Sequence, residues 1–464
     1  MSRSRIPARE GELAKPVESV QNERIRYLNK TPVCRKRYVL IWIQQSQRSE
    51  YNHALVYAIG QANRLSVPVV AYFGLTDRYP EANERHYAFM ADGLRELKET
   101  LAERGIRLVV LHCSPEKGAL LLAKDACLVV TDRGYLRHQT DWRTRVADEA
   151  GCRVVQVETD LIVPVEEASP KEEFSAGTFR PKISKKLSRF FLPLTQSLPK
   201  KDSLDMAFDY FDPDPARLDI DRSVGPSAWL KGGTSDAKRL LDEFIERKLD
   251  FFSDLRNDPS KDCLSYMSPY LHFGQISPLY IALTVMKADS PGKDSYLEEL
   301  IVRRELAMNF VRYNPCYDSF ESLPEWAKRT LTEHQSDRRE YCYSEEQLEN
   351  AETHDEYWNA AQKEMIKLGK MHGYMRMYWG KKILEWSVDP KQAYRTACYL
   401  NNKYSLDGRD PASFTGVAWC FGKHDRAWQE RAIFGKVRYM NDRGLRRKFD
   451  IDGYVRRVEG LDRP

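Results

Sequence analysis

Five short stretches in the first third of the chain, 38–43, 67–73, 106–111, 127–131 and 153–157, are largely apolar and rich in β-branched residues. Between them the apolar positions recur at helical spacing. In 84–104, for example, Tyr87, Met90, Leu94, Leu97 and Leu101 share one face. Strands with no polar face, separated by helices, predict a parallel sheet covered on both sides, an α/β Rossmann-like domain over 35–163. Between Pro164 and Pro226 the periodicity fades and eight prolines appear, which predicts a long surface connector over 164–233. From Thr234 onward the pattern is helical, beginning with a stripe of Ala237, Leu240, Leu241, Phe244, Ile245 and Leu249, so 234–464 is expected to be an all-α domain. Residues 1–34 read as a flexible leading segment. Two or three compact units fit a length of 464 residues.

Composition narrows the class. With 42% hydrophobic and 30% charged residues and a mean hydropathy of −0.61, the chain carries no apolar run near the roughly 20 residues of a membrane span. Nine cysteines without a C-x-x-C pair argue against a zinc or iron–sulfur site and against a disulfide framework, so a reducing cytoplasmic setting is expected. Arg3, Arg5 and Arg9 lead the chain, but no apolar stretch follows as a secretory leader requires. Net charge is 73 − 68 = +5, and twelve Lys or Arg against seven Asp or Glu from position 421 onward account for all of it. A basic end on a neutral body points to a polyanion, or to a solvated basic helix.

Several segments carry candidate chemistry. The first strand is followed by QQSQRSE (44–50) instead of a glycine-rich phosphate loop, which removes the main support for dinucleotide binding there. In SPYLHFGQIS (268–277), Ser268 reads as a helix N-cap and Pro269 as the first helical residue, an end whose free amides attract phosphate. RND (256–258) and LSYMS (264–268) form a polar approach to it. In LNNKYSLDGRDP (400–411), Asp407 can pair with Arg376, or the loop is turn chemistry alone. Glu299 and Arg303 lie four apart, as an exposed helical bridge or as a carboxylate beside a substrate. Six of nine tryptophans fall in the helical half. Trp379 and Trp386, in KMHGYMRMYWGKKILEW (370–386), are two turns or about 10 Å apart, a spacing for electron hopping or for a packing seam. HDRAWQERAIFGKVRYM (424–440) interleaves cations with aromatic rings, as surfaces that meet phosphates and bases do. No H-x-x-x-H or H-E-x-x-H pattern supports a metal hydrolase.

Together SPYLHFGQIS, GYMRMYWGKKILEW, LDGRDP and FGKVRYM, in that order behind an α/β domain and a proline-rich connector, resemble class II cyclobutane pyrimidine dimer photolyases of the photolyase–cryptochrome superfamily. The resemblance runs from about residue 38 to 447. It implies light-driven repair of UV-damaged DNA: FAD, active as its reduced anion, donates an electron to a dimer flipped out of the duplex. By position, it implies cofactor contacts from Phe252, Leu264, Ser265, Tyr266, Met267, Ser268, Arg304, Asn309, Arg376, Asn401 and Asp407. It places Glu299, Asn401, Arg256 and Asn257 in catalysis, and Trp379, Trp358 and Trp386 in an electron path from solvent to the flavin. It assigns Glu299, Arg303, Trp419, Arg426, Trp428, Lys436 and Arg438 to lesion and DNA. Phe252 stands where relatives can carry tyrosine, and Arg303 where some carry a lesion-stacking tryptophan. An antenna pigment, 8-hydroxy-5-deazaflavin or methenyltetrahydrofolate, belongs to the same picture. The expected protein is a monomer, cytoplasmic and nucleoid-associated in a prokaryote, with no metal. A cryptochrome-like photoreceptor and a (6-4) photolyase are the alternatives. The first often has a long carboxy-terminal extension, and the second would be expected to place a histidine pair over the lesion.

Overall fold

A computed structural model describes residues 20–462. Six strands, β1 (Ile25–Tyr27), β2 (Tyr38–Trp42), β3 (Val69–Leu75), β4 (Arg107–His112), β5 (Ala126–Asp132) and β6 (Arg153–Val157), form one sheet in the order β1-β6-β5-β2-β3-β4. The five expected strands pair parallel throughout. Alternate residues of β2 face opposite layers, as the strand repeat of two requires. Val39 and Ile41 pack with α1 (His53–Leu65) and α2 (Glu84–Ala102), whereas Tyr38, Leu40 and Trp42 pack with α3 (Pro115–Ala123) and α4 (Arg137–Glu149). Burial on both faces is why these strands lack a polar face in the sequence.

Two expectations need correction. Residues 20–34 are part of the fold: β1 adds an antiparallel edge to β6, and the preceding Arg24 is buried, donating to the carbonyls of Glu158 (3.2 Å), Leu161 (2.9 Å) and Ile162 (2.6 Å). Arg3, Arg5 and Arg9 lie outside the described residues. The connector also holds a 15-residue helix, Ala176–Phe190, whose Phe179, Ile183, Leu187 and Phe190 form a buried stripe at helical spacing. Pro181 inside it disguised the pattern, since proline forfeits an N–H donor and usually marks a break.

That stripe joins an apolar cluster with Leu241, Phe244, Leu297 and Ile301 of the helical half. A second cluster there surrounds Trp358, Trp379 and Trp386. The two halves are pinned by buried polar contacts. Arg48 pairs with Asp160 at 2.7 Å and donates to the Gly274 carbonyl at 2.9 Å, and Glu305 accepts from the amides of Ile162 (2.6 Å) and Val163 (3.2 Å). No helix among the described residues is long and apolar enough to cross a membrane.

Candidate active site

In an open parallel sheet ligands collect at the carboxyl ends of the strands where the order reverses, here beside β2. The structure fills that place internally. The Asp132 carboxylate at the end of β5 accepts the backbone N–H groups of Gln44 (2.6 Å), Gln45 (2.7 Å) and Ser46 (2.6 Å), an amide cradle of the kind that otherwise holds phosphate. Beside it, Phe73, Tyr79, Tyr87, Trp142 and Arg409 line a narrow cavity of about 80 Å³.

The large opening is in the helical half, a cleft of about 1180 Å³ lined among others by Phe252, Arg256, Asn257, Leu264, Glu299, Arg303 and Trp419. Its carboxylate is aimed by an irregularity in the backbone. Residues Glu298–Arg303 form a π-helical turn, a device frequent at functional sites. The widened turn undoes the expected bridge from Glu299 to Arg303. Glu299 instead pairs with Arg256, while Glu298 takes Arg180 through contacts of 2.6 to 3.2 Å and lies 3.8 Å from Arg303. Arg303 lies over the Trp419 ring, 5.2 Å from its centroid, a cation–π contact at the cleft wall. Phe252 is buried against Phe244 and Tyr296, and has no hydroxyl to offer a ligand.

On the helix Gly373–Trp386, Gly373, Tyr374 and Met377 line the cleft, and Arg376 turns to a buried charge cluster. Arg376 Nη2 reaches Asp407 Oδ1 at 3.1 Å, and Lys370 Nζ lies 3.7 Å from Asp407 Oδ2 and 2.6 Å from Ser268 Oγ. Burial would push the Asp407 carboxyl up, but Arg376 and Lys370 outweigh it and hold the group well below the usual carboxylate range. Burial also lowers the Lys370 ammonium. The Ser268 expectation is corrected in detail: Ser268 is itself the first residue of the helix Ser268–His272 and Pro269 the second, Met267 stands at the N-cap position with no side chain capping the end, and the Ser268 hydroxyl serves Lys370. Upstream, Ser265 Oγ accepts from Tyr296 at 3.1 Å, Met267 is buried, and Tyr266 holds the left-handed φ of 58° that only a constrained loop keeps in a non-glycine residue. Lys370 was missed by sequence reasoning, although it opens the very segment singled out for its tryptophans.

Two cations on one carboxylate leave a positive remainder, and two buried polar atoms here lack partners: Arg376 Nε and Asn401 Oδ1. Asn401 Nδ2 is occupied by Ser413 Oγ at 2.6 Å, which leaves its carbonyl oxygen free as an acceptor. An acceptor and spare donors beside excess positive charge fit an anionic, ring-N–H-bearing group such as reduced FAD. Arg304 and Asn309 do not join this set. Arg304 Nη1 donates to the Asp160 carbonyl at 2.7 Å, and Asn309 spends both ends of its amide on the backbone of residues 171 and 173. They bind the connector and the α/β half, so the cofactor contact expected of them is withdrawn.

The tryptophans form a continuous path in a different order from their spacing. Trp358, from the helix Glu356–Leu368, inserts between the other two: it stacks on Trp379 at 6.3 Å with planes 6° apart and meets Trp386 edge-on at 5.5 Å. Trp386 is only 3% exposed, lying beneath Tyr343 and His354, so the path ends under cover rather than at solvent. On the far lip of the chain, exposed Trp428 sits between Arg426 (5.0 Å) and Arg438 (4.4 Å), and Asp425 pairs with Arg438 at 3.0 Å. Trp428, Arg431 and Arg438 line the cleft, while Arg426 and Lys436 are exposed beyond its lining.

Comparison with known proteins bears on these arrangements. The family model for DNA photolyase matches residues 39–200. The chain is 56% identical to a deoxyribodipyrimidine photo-lyase of Methanothermobacter thermautotrophicus, over 95% of this chain and 99% of that one. It is 40% identical to the enzyme of the same name from Potorous tridactylus, over 91% of this chain and 81% of that one. Among solved structures, a class III photolyase from Agrobacterium tumefaciens superposes with a TM-score of 0.69 at 19% identity, covering 92% of this chain and 87% of the other. A Synechocystis cryptochrome superposes with a TM-score of 0.71 at 17% identity, covering 92% and 90%.

Proposed function

Because the chain belongs to the DNA photolyase family, we propose that it splits cyclobutane pyrimidine dimers in DNA with light, as a class II enzyme using FAD held in its helical half. The observation that carries this reading is the meeting of the Arg256–Glu299 and Arg303–Trp419 pairs in the walls of one cleft large enough for a flipped base pair's worth of lesion. Bound reduced FAD supplies, on excitation, the electron that opens the dimer. Lys370 and Arg376 would keep positive charge beside the reduced ring, and the free Asn401 oxygen would accept a ring N–H. Glu299, fixed by Arg256, accepts the imide N–H of a pyrimidine. The Arg256 guanidinium stands where that ring takes up negative charge, the electrostatic stabilisation a radical anion needs. Asn257 completes this wall, and Trp419 gives the lesion a ring to lie against. Trp379, Trp358 and Trp386 would relay electrons towards a flavin held there.

DNA meets the Trp428 lip, where Arg426, Arg431, Lys436 and Arg438 contact phosphates. The everted lesion costs a few kcal/mol of unstacking, less than an intact pair would. An antenna pigment, a deazaflavin or a folate, would sit in the α/β half, and the absorption band of the purified protein identifies it. The test is illumination of the reduced protein with oligonucleotides carrying a cyclobutane dimer or a (6-4) product. Splitting of the dimer back to intact pyrimidines in light and not in darkness is expected. Turnover of the (6-4) product alone, or of neither, overturns the proposal.

A further inference from the structure

We propose that Phe174, in the connector, enters the base stack of duplex DNA at the gap left by the flipped lesion; the proposal rests on the reading of function above. Phe174 is 54% exposed, and folding gains little from a ring left in water. The backbone on both sides of it is nevertheless held from the helical core. The Glu173 N–H donates to Asn309 Oδ1 at 2.8 Å, and the Phe174 carbonyl accepts the His424 Nδ1–H at 2.9 Å. Asn309 and His424 are both buried, and burial pushes the His424 imidazole down to about 4, so that it stays neutral and the donor to Phe174 is not disturbed near neutral pH. On the other side of Glu173, Glu172 is held by Lys423. An apolar ring is thus presented to solvent from a loop with little freedom to move.

The place of presentation matters as much as its rigidity. The three residues that follow, Ser175, Ala176 and Gly177, line the same cleft as Glu299 and Trp419. Trp428, the exposed ring already assigned to DNA, is flanked by two guanidinium groups, a setting suited to the charged strand. Among the described residues no cation–π contact covers Phe174, which gives it the character of the apolar wedges that other DNA-bending proteins insert between base steps. Everting a lesion leaves its partner bases unstacked. A ring carried on a backbone ordered before binding restores part of that stacking at a reduced entropic cost.

The experiment measures binding of the full chain, and of Phe174→Ala and Phe174→Trp, to one dimer in two contexts: a duplex of about 15 base pairs and a five-nucleotide single strand. The wedge predicts that Phe174→Ala weakens duplex binding about tenfold and single-strand binding less than twofold, and that Phe174→Trp restores the duplex value. A 2-aminopurine placed opposite the dimer should be quenched by the parent chain and by Phe174→Trp, and bright with Phe174→Ala. Undiminished duplex binding, an equal loss on both substrates, or unchanged 2-aminopurine emission overturns the proposal. Failure of the unsubstituted chain to repair the dimer in either context would instead strike the reading of function, and the binding ratios would still decide the wedge.

Discussion

The Asp407 carboxylate is the residue on which the buried charge cluster balances. Removing one partner of a buried pair typically costs about 3–5 kcal/mol because the other charge stays behind unpaired. Asp407→Asn leaves both Lys370 and Arg376 in that position, so it should lower the stability of the apoprotein by that order and abolish retention of FAD, read by denaturant or thermal unfolding and by flavin absorbance. The pH dependence follows from the sign of the shift. A carboxyl held below its ordinary value stabilises the fold fully above about pH 4 and loses that contribution as acid protonates it, so the parent chain should lose stability on acidification more steeply than Asp407→Asn. Trp379→Phe should slow photoreduction at least tenfold and leave repair intact once FAD is reduced chemically; loss of repair as well would remove Trp379 from the electron path. At this scale opposite charges were legible, since Arg376 and Asp407 pair as their sequence context predicts. Lys370 and the withdrawal of Asn309 were not, because a side chain's partner is decided by tertiary packing that no local pattern encodes.

The π-turn at Glu298–Arg303 is the element that separates expectation from geometry. A helical repeat of 3.6 sets Glu299 and Arg303 on one face, whereas the inserted residue turns Glu299 to Arg256 and brings Arg303 to Glu298 and Trp419. Deleting Val302 to restore an α-helical repeat rotates the glutamates by about 100° relative to the helix Arg304–Tyr313. Flavin binding, measured by absorbance, should survive, while the repair rate should fall by about 10²-fold, the usual cost of misplacing a reacting partner. Unchanged repair would show that the turn does not position Glu299. Long periodic elements such as α2 were readable within two residues of their ends. The three-residue β1 was too short to show a period, and the helix Ala176–Phe190 was hidden by Pro181 although its apolar stripe was intact.

Across the whole molecule, charge and architecture divide the labour. The α/β half closes its own phosphate cradle with Asp132, and the excess positive charge gathers at the carboxy-terminal end beside the cleft. Binding to damaged duplex should therefore weaken linearly on a log–log plot against salt, and Lys436→Gln should reduce that slope by about one while weakening all sequences alike. An unchanged slope would remove Lys436 from the phosphate contacts. The division into halves was visible in the sequence because periodicity switches from buried strands to helices, but the internal plug was not, since it depends on Asp132 arriving from a strand far along the chain.

The central claim is that FAD in the helical half lies next to an everted dimer, with Glu299 and Arg256 at the lesion. The fluorescence decay of the reduced flavoprotein, recorded with dimer-containing duplex and with the same duplex undamaged, tests it most directly. The account predicts a shortened decay with the dimer alone, and a return towards the undamaged value in Glu299→Ala. A decay that is the same with damaged and intact DNA would contradict it.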